Sequence, residues 1–470
     1  MSASIEQEAS WRDLFTREHL SKLLTLALAL WLHASNSMLT ATTMPSAVDE
    51  IGGLNLISWT FALYLAGSIS AAASMSLLVS RMGLKKTMIR AAFVFTAGCS
   101  VVALAPNMPV LLCGRVLQGL GGGGLIALVY VCQDRFFPNH LVPKTIALLS
   151  TVWMLASFSG PVIGGAFATL GEWRLAYWAF AAQGLLLVPA VLFLFRKTET
   201  EVDVVGEPIP VVRLLLLSAS ILLVSVSAAY YHPFASPVLI LLGMAALFLF
   251  VLRDVNAASS RMLPSQVTDL SHAIGNGILA TFLLCISIMS FVVYGPLMLI
   301  DLYGLNPLEA GLVVLVESLA WGSAAILFSG TRVETEPKLI RFGGICVLLG
   351  LIAVAYLFPR GSLLAVVVAV IVLNGGMGMM WGFIIKRVIA AAPAGEKDRT
   401  ASLLLITQQT GFAFGAALTG LIVNSLGINQ DPGVDELKII AFWMFAAFVP
   451  LAILGNIMAW RFVGRQTRGD

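Results

Sequence analysis

The sequence predicts an all-α polytopic membrane protein of fourteen transmembrane helices. Three observations carry that prediction. The 470 residues are 59% hydrophobic and only 11% charged, with a mean hydropathy of +0.92, whereas soluble domains carry about 25% charge. The apolar residues fall in stretches of about 20, the length that crosses a bilayer. The basic residues collect in alternate turns between those stretches, as the positive-inside rule requires.

The stretches can be taken in order. The first, 22–45, follows a polar segment of mixed charge and is too long for the apolar region of a signal peptide. It carries His33, Asn36, Thr40 and Thr43 at helical spacing, a polar stripe expected to line a central pathway. The second, 56–79, holds Trp59 and Tyr64. The turn after it contains Arg81, Gly83 and Lys85 and leads into the third, 87–105. The fourth, 109–132, has Arg115 and Gln118 three residues apart, on one helical face. The fifth, 145–169, contains Gly160-Pro161 and Gly164-Gly165. That is a poor sequence for a soluble helix, but it suits a membrane span: proline kinks the helix, and glycines let a neighbour approach. The sixth is 175–195. The seventh and eighth, 213–231 and 235–252, are bracketed by the two longest loops, 196–212 and 253–272. They hold few polar residues beyond serine, so a peripheral position is expected. The ninth is 273–300. The tenth, 307–330, contains Glu317 and Trp321, and the eleventh is 340–358. The twelfth, 362–385, has glycines alternating with bulk in Gly375-Gly376-Met377-Gly378-Met379-Met380-Trp381. The thirteenth, 400–424, carries Gln408 and Gln409, and the fourteenth is 439–461.

Charge placement supports this count. With the N-terminus inside, only Arg174, Arg360 and Lys438 among the lysines and arginines fall in extracytoplasmic turns, and Arg115 lies within a span. The expected organisation is a cytoplasmic segment 1–21, a six-helix bundle 22–195 and a linker 196–272 with two additional helices. A second six-helix bundle, 273–461, and a cytoplasmic tail, 462–470, complete it. The five cysteines lie in apolar stretches at no metal-ligand spacing and read as small apolar filler.

Several motifs stand in register along nearly the whole chain. Arg115-Val-Leu-Gln118-Gly119-Leu-Gly121 in the fourth span is similar to an RxxQGxG element, and Gly160-Pro161 with Gly164-Gly165 to an antiporter element. Trp59 and Tyr64, Trp173-Arg174 with Tyr177-Trp178, and Gly304-Leu-Asn-Pro307 fall at matching places. Together they resemble the major facilitator superfamily, and within it the 14-helix drug:proton antiporter branch. The resemblance implies two six-helix bundles around a central cavity, working by alternating access. It also implies a bacterial cytoplasmic (inner) membrane, with both termini cytoplasmic. Three family charges are absent: Asn36 and Ser80 stand where acids are usual, and Gln408 stands where an arginine is usual.

A charge at mid-bilayer costs about 2.5–3.5 kcal/mol on insertion scales, so those retained are functional candidates. Glu317 reads as a proton carrier, or as a structural partner of a polar helix face. Arg115 resembles the family's proton-transfer arginine; the bland alternative is snorkelling to the surface. A histidine titrates near neutral pH, so His33 is a candidate to stand in for a missing carboxylate, or it is a neutral hydrogen-bonded histidine. Asn36, Trp59, Tyr64, Gln118, Trp321, Met380, Trp381, Gln408 and Gln409 are expected to line a substrate cavity, since aromatics and thioethers accommodate varied lipophilic shapes. Gly160, Pro161, Gly164, Gly165, Gly83, Arg81 and Lys85 form the expected conformational motifs.

The leading reading is a secondary active exporter of lipophilic or amphipathic small molecules, proton-coupled and of the multidrug type. A narrow-specificity carrier of a metabolite, siderophore or lipid, without proton coupling, is the alternative that the missing acids favour. No GxxxxGK[ST], HExxH or GxSxG pattern occurs, which argues against direct use of ATP and against an enzyme. No cofactor and no metal is expected. The expected partners are a small-molecule substrate, protons and the lipid bilayer, with no nucleic acid. A monomer suffices, and a periplasmic adaptor is compatible with the family.

Overall fold

The structure, a computed structural model, describes residues 11–138, 141–195, 210–257, 261–393 and 395–466. Residues 1–10 of the expected N-terminal segment, 196–209 of the 196–212 loop and 467–470 of the expected tail lie outside the described residues. After a single helical turn at Trp11–Leu14, the first half consists of α1 (Arg17–Ile51), α2 (Ile57–Met82), α3 (Leu84–Ala103), α4 (Met108–Phe136), α5 (Val142–Thr169) and α6 (Trp173–Leu194). The linker contributes α7 (Val211–Ala229) and α8 (Ala235–Val255). The second half contains α9 (Ala273–Tyr303), α10 (Pro307–Phe328), α11 (Glu336–Leu357), α12 (Leu363–Ala390) and α13 (Lys397–Ser425). Its final span is broken into α14 (Val434–Ala446) and α15 (Val449–Gln466), just before Pro450. Among the described residues, fourteen spans are long and apolar enough to cross a membrane, so this is a multi-pass membrane protein.

Local chemistry sets the helix ends. Asn107 caps α4, its side chain accepting from the Val110 N–H at 3.1 Å, with Pro109 in the first turn. Asn306 and Glu309 form a reciprocal capping box on α10 around Pro307, satisfying donors that the helix start leaves free. Gly83, at φ +78° and ψ 156°, joins α2 to α3 in a conformation essentially restricted to glycine.

The two halves repeat one packing pattern. In the first, α1 packs on α5, α4 on both α2 and α3, and α3 on α6; in the second, α9 packs on α13, α12 on both α10 and α11, and α11 on α14 and α15. The halves meet at two related seams, α5 against α10 and α2 against α13. We call the side where α1 begins the near face and the opposite side the far face.

The linker helices depart from the peripheral expectation in one respect. α8 packs mainly on α7 and turns Leu241, Leu242, Phe248 and Leu249 outward. α7, however, lies along the α2/α13 seam and buries Leu217, Ile221 and Val224 in the same core as Ile57, Phe61 and Ile69 of α2. A uniformly apolar helix carries no sequence signal for which flank it covers. Asp254 near the end of α8 is fully buried, pairs with Arg213, and accepts from the N–H groups of Met262 and Leu263.

Candidate transport site

Arg115 is fully buried near the far end of α4 rather than snorkelling. Its Nε donates to the Thr60 carbonyl at 2.8 Å, and its Nη1 to Asn36 Oδ1 at 3.1 Å and Gln118 Oε1 at 2.7 Å. The guanidinium lies 4.3 Å from the Tyr64 ring centroid, a cation–π contact. Gln118 donates on to Cys99 Sγ at 3.2 Å. The Tyr64 hydroxyl donates to the His33 carbonyl at 3.0 Å and lies 2.9 Å from His33 Nδ1. The His33 ring is also 5.9 Å from that of Trp153 on α5. Five residues picked from the sequence, His33, Asn36, Tyr64, Arg115 and Gln118, therefore form one network. A guanidinium in a low-dielectric bundle needs acceptors, and here all of them are neutral. Close approach makes room for it: a side chain at Gly98 would meet the Gln118 N–H and the Gly114 carbonyl.

Thr40 and Thr43 correct the expected pathway stripe. Both are buried, and their hydroxyls lie 3.4 and 3.0 Å from the Tyr177 hydroxyl of α6, inside the first half. Threonine hydroxyls are satisfied as readily between helices as in water, so helical spacing alone did not say which way the stripe faced.

Glu317 is 9% exposed, and its Oε2 is buried without a hydrogen-bond partner. Its depth follows from helix register. α10 meets α5 where Gly311 lies over the Pro161 carbonyl, and again where Gly322 lies over Met154. Glu317 falls between these points. α5 in turn meets α1 where the Ser159 and Ser35 hydroxyls are 3.4 Å apart. The carboxyl thus sits at about the depth of His33, on the opposite half. Arg115 Nη2 and Gln409 Oε1 are among the other buried polar atoms without a partner. Gln408 is half-buried.

The other expected residues separate. Trp321 and Trp381 form an edge-to-face pair with centroids 5.8 Å apart, joining α10 to α12. Met380 is fully buried against Gly343 of α11, in the core of the second half rather than on an open surface. Trp59 donates from its indole N–H to the Ser225 carbonyl of α7 at 2.6 Å. In the fifth-span motif, Gly160 and Gly164 pack α5 onto the backbone of α1, whereas Gly165 abuts Pro307 and Leu308 of α10. Thr42 donates to the Pro161 carbonyl at 3.1 Å. Arg81 is exposed and Lys85 half-buried at the near-face turn around Gly83.

Sequence reasoning missed the near-face cluster of the second half. Glu336, almost fully buried, pairs with Lys386 at 2.6 Å and Arg387 at 2.8 Å. These residues, with Gln266 and His272, line a cavity of about 590 Å³. The signal was an acid at the start of one apolar stretch and two adjacent bases at the end of the next, a separation that only the fold closes.

Comparison with known proteins gives one family. The Major Facilitator Superfamily model matches residues 26–416. A "Probable multidrug-efflux transporter" of Mycobacterium tuberculosis is 29% identical over 491 residues, covering 100% of this chain and 99% of the relative. The multidrug efflux pump SdrM of Staphylococcus aureus is 24% identical, covering 85% of this chain and 89% of the pump. Among solved structures, a D-xylose–proton symporter aligns with a TM-score of 0.68 at 14% identity, over 94% of this chain and 97% of the symporter. The peptide transporter PepTSo aligns at 0.67 and 16% identity, over 97% of this chain and 99% of the transporter.

Proposed function

The chain belongs to the major facilitator superfamily and is a membrane transporter, and from that premise we propose that it exports lipophilic or amphipathic small molecules in exchange for protons. Glu317 carries the proposal. A buried carboxyl with an unpartnered oxygen is costly in a membrane unless something neutralises it in the working cycle. A proton and a cationic substrate are the two species that can do so in turn, which is the requirement of an antiporter. The Arg115 network at similar depth keeps a compensating positive charge in the opposite half. The relatives named as multidrug-efflux proteins support the substrate class. We further propose inner-membrane insertion with the near face cytoplasmic, as the basic turns require, and function as a monomer.

The narrow-specificity carrier remains a second reading because Asn36, in place of a family acid, is committed to accepting from Arg115. The test uses purified protein in liposomes that enclose a pH-sensitive dye, with an imposed proton gradient and a panel of lipophilic cations and neutral drugs. Substrate-triggered proton movement that disappears in Glu317→Gln is the expected result. Measurable substrate flux with no proton movement, equal in wild type and variant, would replace antiport with the uncoupled carrier.

A further inference from the structure

α7 ends at the far face between the two halves, and the accounting of its last carbonyls shows what holds it there. The final four carbonyls of any helix lack intrahelical donors. Here Val226 accepts from the Tyr230 N–H, and Ser227 accepts from the Ser236 hydroxyl at 3.0 Å. Ala229 accepts from the Asn55 amide at 3.1 Å, on the first half. Ala228 accepts from the Asn424 amide of α13 at 2.7 Å, on the second half. The same Asn424 amide donates to the Asn55 carbonyl at 2.9 Å, and its oxygen accepts from Asn429 at 3.1 Å. Asn424 is buried and uses both amide hydrogens. One side chain of the second half therefore ties together α7 and the α1–α2 turn.

The attachments of α7 are unequal. Towards the first half it has the Asn55 bond, the Trp59 bond to Ser225, and a contact of 2.9 Å between the Ser70 and Ser218 hydroxyls deeper along α2. Towards α13 it has one hydrogen bond, from Asn424 to the Ala228 carbonyl, although its apolar packing is more extensive on α13 than on α2. Gly420, one turn before Asn424, lets α13 approach Ser58 and Ala228.

We propose that α7 is a strap that rides with the first half, and that Asn424 is the catch that must release before the far face can open. Opening moves α13 away from α2 and strips both Asn424 bonds, while the three ties of α7 to the first half persist. The linker pair is then part of the gating apparatus. The proposal rests on alternating access within the family fold and not on the identity of the substrate.

Accessibility labelling tests it without any transport assay. Thr42→Cys places a reporter at a buried position between α1, α5 and α10 at the far end, in protein carrying Cys113→Ser and Cys346→Ser and held in lipid nanodiscs. The probe is N-ethylmaleimide. Asn424→Leu is expected to raise the labelling rate about three- to tenfold, because removing the catch shifts the population towards far-face-open states. Ser70→Cys with Ser218→Cys, oxidised to a disulfide, is expected to label within about twofold of its reduced form, since those two positions move together. Asn424→Leu with a lowered melting temperature and an unchanged labelling rate would overturn the catch and leave Asn424 merely structural. A disulfide that slows labelling several-fold would overturn the ride with the first half, and that arm stands even if Asn424→Leu fails to fold.

Discussion

The two seams between the halves occupy related positions in the fold but are closed by different means. At α5/α10, backbone meets backbone: Gly165 lies over the Pro307 carbonyl and Leu308 Cα, Gly311 lies over the Pro161 carbonyl, and the Leu308 N–H donates to the Thr169 hydroxyl at 3.0 Å. At α2/α13, Gly420 meets the side chain of Ser58, and closure is completed by the Asn424 amide and by α7. A backbone-to-backbone contact can yield only by moving a whole helix, whereas a side-chain contact yields by a rotamer change or a truncation. The first seam therefore parts only when whole helices move, whereas the second is released by a side-chain latch. The duplicated bundle supplies the symmetry; the linker inserted between its halves breaks it on one side.

The largest expected effect comes from filling the α5/α10 seam. A Cβ at Gly311 would lie 2.7 Å from the Pro161 carbonyl, and one at Gly165 would lie 2.7 Å from the Pro307 carbonyl. Overpacking of this kind costs about 1–3 kcal/mol, more where the opposing atoms cannot relax. Gly311→Val should reduce drug flux in proteoliposomes by about tenfold or more and lower thermal stability. Gly420→Ala should do less, since its Cβ would meet the Ser58 side chain, Oγ first, rather than backbone, and Ser58→Gly should restore flux by removing the obstruction. Equal damage at both glycines, with no rescue by Ser58→Gly, would break the contrast between the seams.

The parts legible from sequence explain why the latch was not. Span number, span order and the Arg115–Gln118 pair follow from hydropathy and from spacing along one helix. Tyr64 and His33 are also visible as residues, but their contact requires the relative rotation of two helices. In a membrane protein that rotation leaves little trace, because lipid-facing and protein-facing surfaces are equally apolar. The same blindness put Thr40 and Thr43 towards the pathway when they meet Tyr177, and it left α7 at the periphery. Thr60, which enters the Arg115 network through its backbone carbonyl, has no side-chain signature for that role.

A smaller effect sharpens the account of the latch. Trp59→Phe keeps an aromatic ring at the position but removes the donor to the Ser225 carbonyl. Losing one neutral hydrogen bond costs about 1 kcal/mol. Since α7 keeps its Ser70 and Asn55 ties, Trp59→Phe should lower the melting temperature slightly and leave drug flux close to wild type. A flux defect matching that of Gly311→Val would instead make the indole part of the substrate path, as its position in the second span first implied.

The smallest effect concerns the near end of the linker. There Ser265 donates its backbone N–H to Glu396 Oε2 at 2.9 Å and its hydroxyl at 3.0 Å. Glu396 lies in the turn between α12 and α13, so this end of the linker is fastened to the second half, opposite to the attachment of α7 at the far face. The Ser265 backbone N–H, with its hydroxyl and Arg399 adding to it, holds the Glu396 carboxyl below its ordinary range. A carboxyl with a depressed folded-state value stabilises fully above its unfolded value, about pH 4.3 for glutamate, and that contribution is lost as pH falls through the folded value. Thermal stability of the wild type should therefore decline below about pH 4.3 more steeply than that of Glu396→Gln, with the two converging as the wild-type carboxyl protonates. The group is partly exposed, so solvent screening keeps the difference small. Parallel pH profiles for the two proteins would mean that the Ser265–Glu396 contact contributes nothing to holding the near end of the linker.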